Sequence, residues 1–150
     1  MPEPIRGWRT RGRLPHADFA GLTQAITFRL ADSLPGGVLE RLRVTAAADG
    51  VADERQAALM RRQVQDWLDA GHGSCLLRDP GMSAILREEM LRGDGLSYRL
   101  DAFVIMPNHV HVVLGVGGRP MGSIVRAWKG ASARRINLQR GLSGQLWCRE

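Results

Sequence analysis

A chain of 150 residues with a formal net charge of +6 fits one compact domain and is long enough to bury a single sizeable core. Its 44% hydrophobic and 24% charged residues are the proportions of an ordinary soluble globular protein. The most apolar stretch, around residues 102–117, is interrupted by Pro107, Asn108 and two histidines, so it is excluded as a bilayer span, which needs ~20 apolar residues.

In chain order, the first twenty residues read as an irregular basic arm, with Arg6, Arg9, Arg11 and Arg13 around Trp8 and no apolar core of a signal peptide. Thr23 to Leu30, TQAITFRL, is β-branched and aromatic and predicts a strand, closed by the turn chemistry of ADSLPGG. From Val38 to about Ala70 the pattern is helical. Leu59, Met60, Val64, Trp67 and Leu68 recur at three- and four-residue steps until Gly71 and Gly73 end the helix. SCLL, from Ser74, is a short strand candidate. DPGMSAILREEML predicts a helix capped by Asp79 with Pro80 at its first position.

After the breaker GDG, LSYRLDAFVIM and HVHVVLGV predict two strands. Pro107 holds Met106 extended and Asn108 favours a turn, so the two strands form a tight hairpin. Residues 123–139 are helical again, with Val125, Trp128 and Ile136 on one side and Arg126, Lys129, Arg134 and Asn137 on the other. Arg135 falls on the apolar side, where no packing reason for it is visible. GQLWCRE begins a further strand. The sum is an α+β domain over residues 1–150, an antiparallel sheet covered on one side by helices.

Nearly all the positive charge is arginine, Lys129 being the only lysine. Guanidinium groups pair with phosphate in a bidentate way, so the balance leans towards a polyanionic partner. A GC-rich genome accounts for arginine equally well. Cys75 and Cys148 have no metal-ligand spacing and demand no disulfide, which points to a reducing cytoplasm.

Two of the four histidines, His109 and His111, stand one residue apart in the second hairpin strand. Alternation puts both on one face, ~7 Å apart along the chain, with Val110, Val112 and Leu114 facing the core. Two imidazoles so placed can converge on one metal ion, but they are fewer ligands than a complete site uses. His16 and His72, in distant loops, could each supply a third ligand but read first as ordinary surface residues.

The wording around the pair, MPNHVH between two apolar strands, resembles the signature of HUH transposases, single-tyrosine DNA nucleases and strand transferases in which the U is a bulky apolar residue, here Val110. TRGRLPH, ITFRLADSLP, LDAGHGSCLLRDP, YRLDAFVIMPNHVHVVL and WKGASARRIN, in that order, resemble segments of the REP-associated tyrosine transposases.

The resemblance implies a ferredoxin-like fold with the histidines on a central strand. It implies a divalent ion, Mg or Mn, held by His109 and His111 and one further polar residue, and a tyrosine that attacks a DNA phosphate. The implied partner is a single-stranded palindromic hairpin of the REP type, and the implied location is the nucleoid. Arg126, Lys129 and Arg134 of the last helix, with Trp8, Arg9, Arg11 and Arg13 of the arm, are the candidate DNA contacts. In the family the tyrosine and the third ligand lie on a helix after the tryptophan strand matched by GQLWCRE, and the sequence reaches Glu150 before that helix would begin. Tyr98, the single tyrosine, does not match the catalytic position and reads as a cross-strand aromatic.

The expectation is therefore a transposase domain truncated before its nucleophile, unable to cleave DNA alone and with an apolar sheet face left open. A nuclease-dead hairpin-binding protein is the alternative. An unrelated zinc hydrolase would need a carboxylate near the histidines, Asp94 and Asp101 being nearest in sequence.

Overall fold

The computed structural model describes residues 21–38, 40, 41, 44 and 54–149, apart from the side chains of 54, 56 and 57, and residues 8–11 and 14–17 by their backbone. The basic arm is not irregular over those eight residues. Strands β1 (Trp8–Arg11) and β2 (Leu14–Ala17) pair antiparallel, Trp8 opposite Ala17 and Arg11 opposite Leu14. Arg6 and Arg13 lie outside the described residues, as do the side chains of Trp8, Arg9, Arg11 and His16.

The main sheet has three antiparallel strands in the order β3 (Thr23–Arg29), β5 (His109–Val116), β4 (Tyr98–Ile105). Between β3 and β4 run helix α1 (Glu54–Asp69), a 3-10 turn (Leu76–Arg78) and helix α2 (Pro80–Leu91); helix α3 (Met121–Arg140) follows β5. Leu30 makes an antiparallel bridge to Trp147, with Ala31 N–H donating to the Leu146 carbonyl at 2.9 Å and Cys148 N–H to the Arg29 carbonyl at 2.9 Å. The C-terminal stretch thus pairs along the free side of β3. The order Trp147 stretch, β3, β5, β4 is the split β-α-β arrangement of a ferredoxin-like sheet, and the domain is α+β as its sequence predicts.

One sheet face carries the core. Phe28, Val110, Val112 and Leu114, each at most 1% exposed, meet Met82, Leu86 and Met90 of α2 and Ile124, Trp128 and Ile136 of α3. Burying each large side chain contributes roughly 1.5–3 kcal/mol. Helix α2 forms where the sequence places it: the Asp79 carboxylate accepts from Gly81 N–H at 2.8 Å, Pro80 occupies the first turn, and the buried residues follow at helical steps. In α3 the steps of four from Ile124 through Trp128 and Ser132 to Ile136 make the buried stripe, and Gly141, at φ 61°, ends the helix.

Arg135, unexplained by the apolar pattern, gains its reason here. Its two guanidinium nitrogens donate to Glu89 at 2.8 Å and Glu88 at 2.6 Å across the α2–α3 contact, and the Glu89 side chain is only 5% exposed. An acidic group that far from water needs such a partner. The partner in turn holds the Arg135 guanidinium above its ordinary pKa, through its hydrogen bonds to Glu88 and then Glu89.

Two local expectations are corrected. SCLL is not a strand: Cys75 sits in the left-handed region (φ 50°) and Leu76 and Leu77 enter the core on the 3-10 turn. So short an apolar run does not distinguish the two. Leu59, predicted on the buried side of α1, is 63% exposed, while Leu68 is 3% exposed.

Candidate metal centre

The face of the sheet opposite the core is built from short rungs. Thr27, His111 and Val104 form one, Ala25, Val113 and Ala102 the next, Thr23, Gly115 and Arg99 a third, and Arg29 pairs with His109 at the turn end. Alternation thus brings His109 and His111 to one side, as their spacing predicts, while Val110, Val112 and Leu114 enter the core.

The pair does not face open solvent. His109 is fully buried and His111 half-buried, because the last two turns of α1 lie against them. The two Nε2 atoms converge to 3.1 Å. For nitrogens each ~2.1 Å from a shared ion, that separation corresponds to adjacent coordination positions close to a right angle.

Each ring is held from behind. Asn108, itself fully buried, donates through Nδ2 to the His72 carbonyl at 3.1 Å, which turns its Oδ1 towards His109 Nδ1 at 2.8 Å. The His109 proton therefore sits on Nδ1 and the Nε2 lone pair points at His111. Burial, then the neighbouring His111, lowers the pKa of His109 below the ordinary imidazole value against the opposing pull of Asp69, so the ring is held neutral, the form that binds metal. Thr27 Oγ1 lies 2.8 Å from His111 Nδ1. A hydroxyl can donate to that nitrogen or accept from it, so it supports the tautomer in which His111 donates to His109 and the one in which both Nε2 lone pairs are free. Partners of this kind orient imidazoles that bind metals, and the two nitrogens could serve as two of the ligands of a divalent cation.

The turn that carries the pair is a two-residue hairpin turn at Pro107–Asn108, with Met106 N–H donating to the His109 carbonyl at 2.9 Å. It is as tight as Pro107 and Asn108 predict. The segment after α1 meets it through Leu77 N–H, which donates to the Pro107 carbonyl at 3.1 Å, and Leu30, just past β3, donates its N–H to the Asn108 carbonyl at 2.9 Å.

Two residues that the sequence does not single out reach the pair from α1. Gln65 Nε2 lies 3.3 Å from both histidine Nε2 atoms and donates to Asp69 Oδ1 at 2.9 Å. Asp69 Oδ1 is 3.7 Å from His109 Nε2. Their spacing of four places them on one helix face. The available signal was a glutamine and an aspartate four apart at the end of an amphipathic helix, common enough to pass as a solvated edge. Among the described residues no group of three or more His, Cys, Asp or Glu is arranged to hold a metal ion.

The other candidates lie elsewhere. His72 packs its ring on Trp67, centroids 5.0 Å apart, and meets the site only through its carbonyl. Asp94 accepts from Leu100 N–H at 2.8 Å and Asp101 pairs with Arg99 at 2.6 Å, so neither meets the histidines as a zinc hydrolase would require. Tyr98 is 6% exposed; its hydroxyl donates to the Met90 carbonyl at 2.5 Å and accepts from Trp128 Nε1 at 2.8 Å. Its hydroxyl partners come from the helices, while across the sheet it stands opposite buried Val116 of β5, the cross-strand position that its sequence predicts.

Arg126 and Arg134 are exposed on α3, and the sheet stands between them and the histidines. Lys129, by contrast, is half-buried. It donates to the Cys148 carbonyl at 3.0 Å and lies 5.9 Å from the centre of the Phe28 ring, so it secures the C-terminal stretch.

No family model and no curated protein matches the sequence. Among solved structures, the chain is similar to a "putative transposase" from Deinococcus radiodurans R1, at 19% identity and a TM-score of 0.45, over 95% of this chain and 80% of that one. No helix among the described residues is long and apolar enough to cross a membrane.

Proposed function

We propose that this chain is a DNA-binding domain of the HUH transposase type, with His109 and His111 as ligands of a divalent metal ion, Mg or Mn, at the place where a DNA phosphate is engaged. The observation that carries the reading is the convergence of the two Nε2 atoms to 3.1 Å, each ring braced from behind by a polar partner. When bound, the ion supplies positive charge that stabilises the oxygens of a phosphate. The protein's own part is to keep His109 neutral and aimed, through Asn108, and to let Thr27 serve either tautomer of His111. In this reading the partner is a single-stranded palindromic hairpin, and Arg126 and Arg134, exposed on α3, are candidate phosphate contacts away from the histidine face.

The single tyrosine, Tyr98, spends its hydroxyl on Met90 and Trp128 inside the core. These 150 residues therefore present no phenol to a phosphate, and the activity proposed for them is binding. The test pairs Mn²⁺ titration with gel-shift titration of a palindromic single-stranded hairpin against a scrambled strand of equal length, at two salt concentrations. Histidine-dependent metal binding with hairpin selectivity is expected, and no covalent DNA adduct. Equal, salt-sensitive retardation of both strands would reduce the interaction to bulk arginine charge and sink the hairpin assignment.

A further inference from the structure

The histidine pair supplies two nitrogens, and a divalent ion of the Mg or Mn class prefers oxygen. Those oxygens stand on α1. Gln65 is half-buried and its amide lies 3.3 Å from both Nε2 atoms at once, the position of a group that shares their contact point. Asp69, one turn further on, brings Oδ1 to 3.7 Å from His109 Nε2 while its side chain remains 54% exposed. Gln65 and Asp69 are joined by a 2.9 Å hydrogen bond on the exposed side of the site.

An amide oxygen and nitrogen occupy nearly the same space, and rotating the Gln65 amide by half a turn exchanges them. Without a cation the nitrogen belongs where it stands, donating to Asp69 and towards the histidine lone pairs. A cation between the rings reverses that preference, because it attracts Gln65 Oε1 and frees Asp69 Oδ1 from its donor. We infer that α1 furnishes the oxygen ligands of the ion held by His109 and His111, Gln65 through Oε1 and Asp69 through Oδ1. This inference rests on the metal reading above and differs from what the sequence resemblance implies, where the further ligand comes from a helix after the tryptophan strand. The exposed side of Asp69 leaves the remaining coordination positions open to water or to a phosphate oxygen.

The test is Mn²⁺ binding to the 150-residue chain, read as free Mn²⁺ by electron paramagnetic resonance and as heat by calorimetry, with no DNA present. Q65A and D69N are each expected to weaken binding by about tenfold or more, and Q65E, which keeps the side chain's size and adds a formal charge, to tighten it. Q63A, on the exposed side of the same helix, should bind as the wild type does. Denaturation midpoints of all four variants near that of the wild type confirm that the sheet and α1 remain folded. If the wild type binds no Mn²⁺, or H111A binds as well as it does, the histidine reading itself is lost and this inference with it. If binding depends on His111 while Q65A and D69N match the wild type, the histidine reading stands and α1 is excluded as a ligand source.

Discussion

Asn108→Ala is the most informative single perturbation of the site. Asn108 is fully buried, and the truncation leaves two groups facing a void: the Nδ1–H of His109, also fully buried, and the His72 carbonyl, which is partly accessible. An unsatisfied buried polar group costs about 1–3 kcal/mol. With the histidine donor near the upper end and the accessible carbonyl near the lower, the expected loss is about 2–4 kcal/mol. For a chain of this size that is a fall in Tm of roughly 5–15 °C. The same change frees the His109 ring to rotate and to exchange tautomers, so Mn²⁺ affinity should fall roughly 10–100-fold, the usual effect of losing a ligand's outer partner. Urea denaturation with chelator present isolates the first quantity, and calorimetry on the folded variant gives the second. A stability loss below ~1 kcal/mol at an unchanged denaturant slope, together with wild-type Mn²⁺ affinity, would refute the assignment of Asn108 as the group that fixes His109.

Other expectations follow from the same geometry. Thr27→Val keeps the strand residue's shape but removes the hydroxyl beside His111 Nδ1, and calorimetry should show weaker Mn²⁺ binding with the denaturation midpoint nearly unchanged, while Thr27→Ser restores affinity. Stability without metal should fall with acid below the ordinary imidazole pKa of 6.5: His109 is lowered in the folded state, so between its folded and unfolded values the unfolded chain binds more protons and protonation favours unfolding. Urea titrations at stepped pH should show that loss and show it reduced in His109→Gln. Gly73→Ala should cost about 1–3 kcal/mol, since φ is +85° and an added Cβ would lie 2.3 Å from the Asp32 carbonyl oxygen; a thermal melt showing no loss would contradict it. Arg135→Ala should lower the urea midpoint more than Arg92→Ala, because only Arg135 ties buried Glu89 to the opposite helix, and equal midpoints would remove that distinction.

The local signals in this sequence were strong wherever one residue type has a single good use. Pro107–Asn108 fixed the hairpin, Asp79–Pro80 the start of α2, and alternation around Val110 and Val112 separated the histidine face from the core. What escaped were contacts between segments far apart in the chain. Gln65 and His109 are 44 residues apart, and Arg135 lies 46 beyond Glu89. Periodicity places such residues on a face but does not say which face another helix meets. Arg135 looked like an error in the apolar pattern because its purpose is a charge on α2. Lys129 looked solvent-facing because the C-terminal stretch that receives its ammonium arrives only in three dimensions.

The hairpin turn at Pro107–Asn108 has a consequence beyond the site it holds. Turns between strands usually run over the surface, where homologous chains lengthen and shorten them freely. This one meets the segment that follows α1, its carbonyls are taken by Leu30 and Leu77, and its one amide side chain is shared between His72 and His109. A residue inserted there would pull those partners out of line. The connection between β4 and β5 is thus a fixed length in the architecture, and drift in this chain belongs in loops that nothing covers.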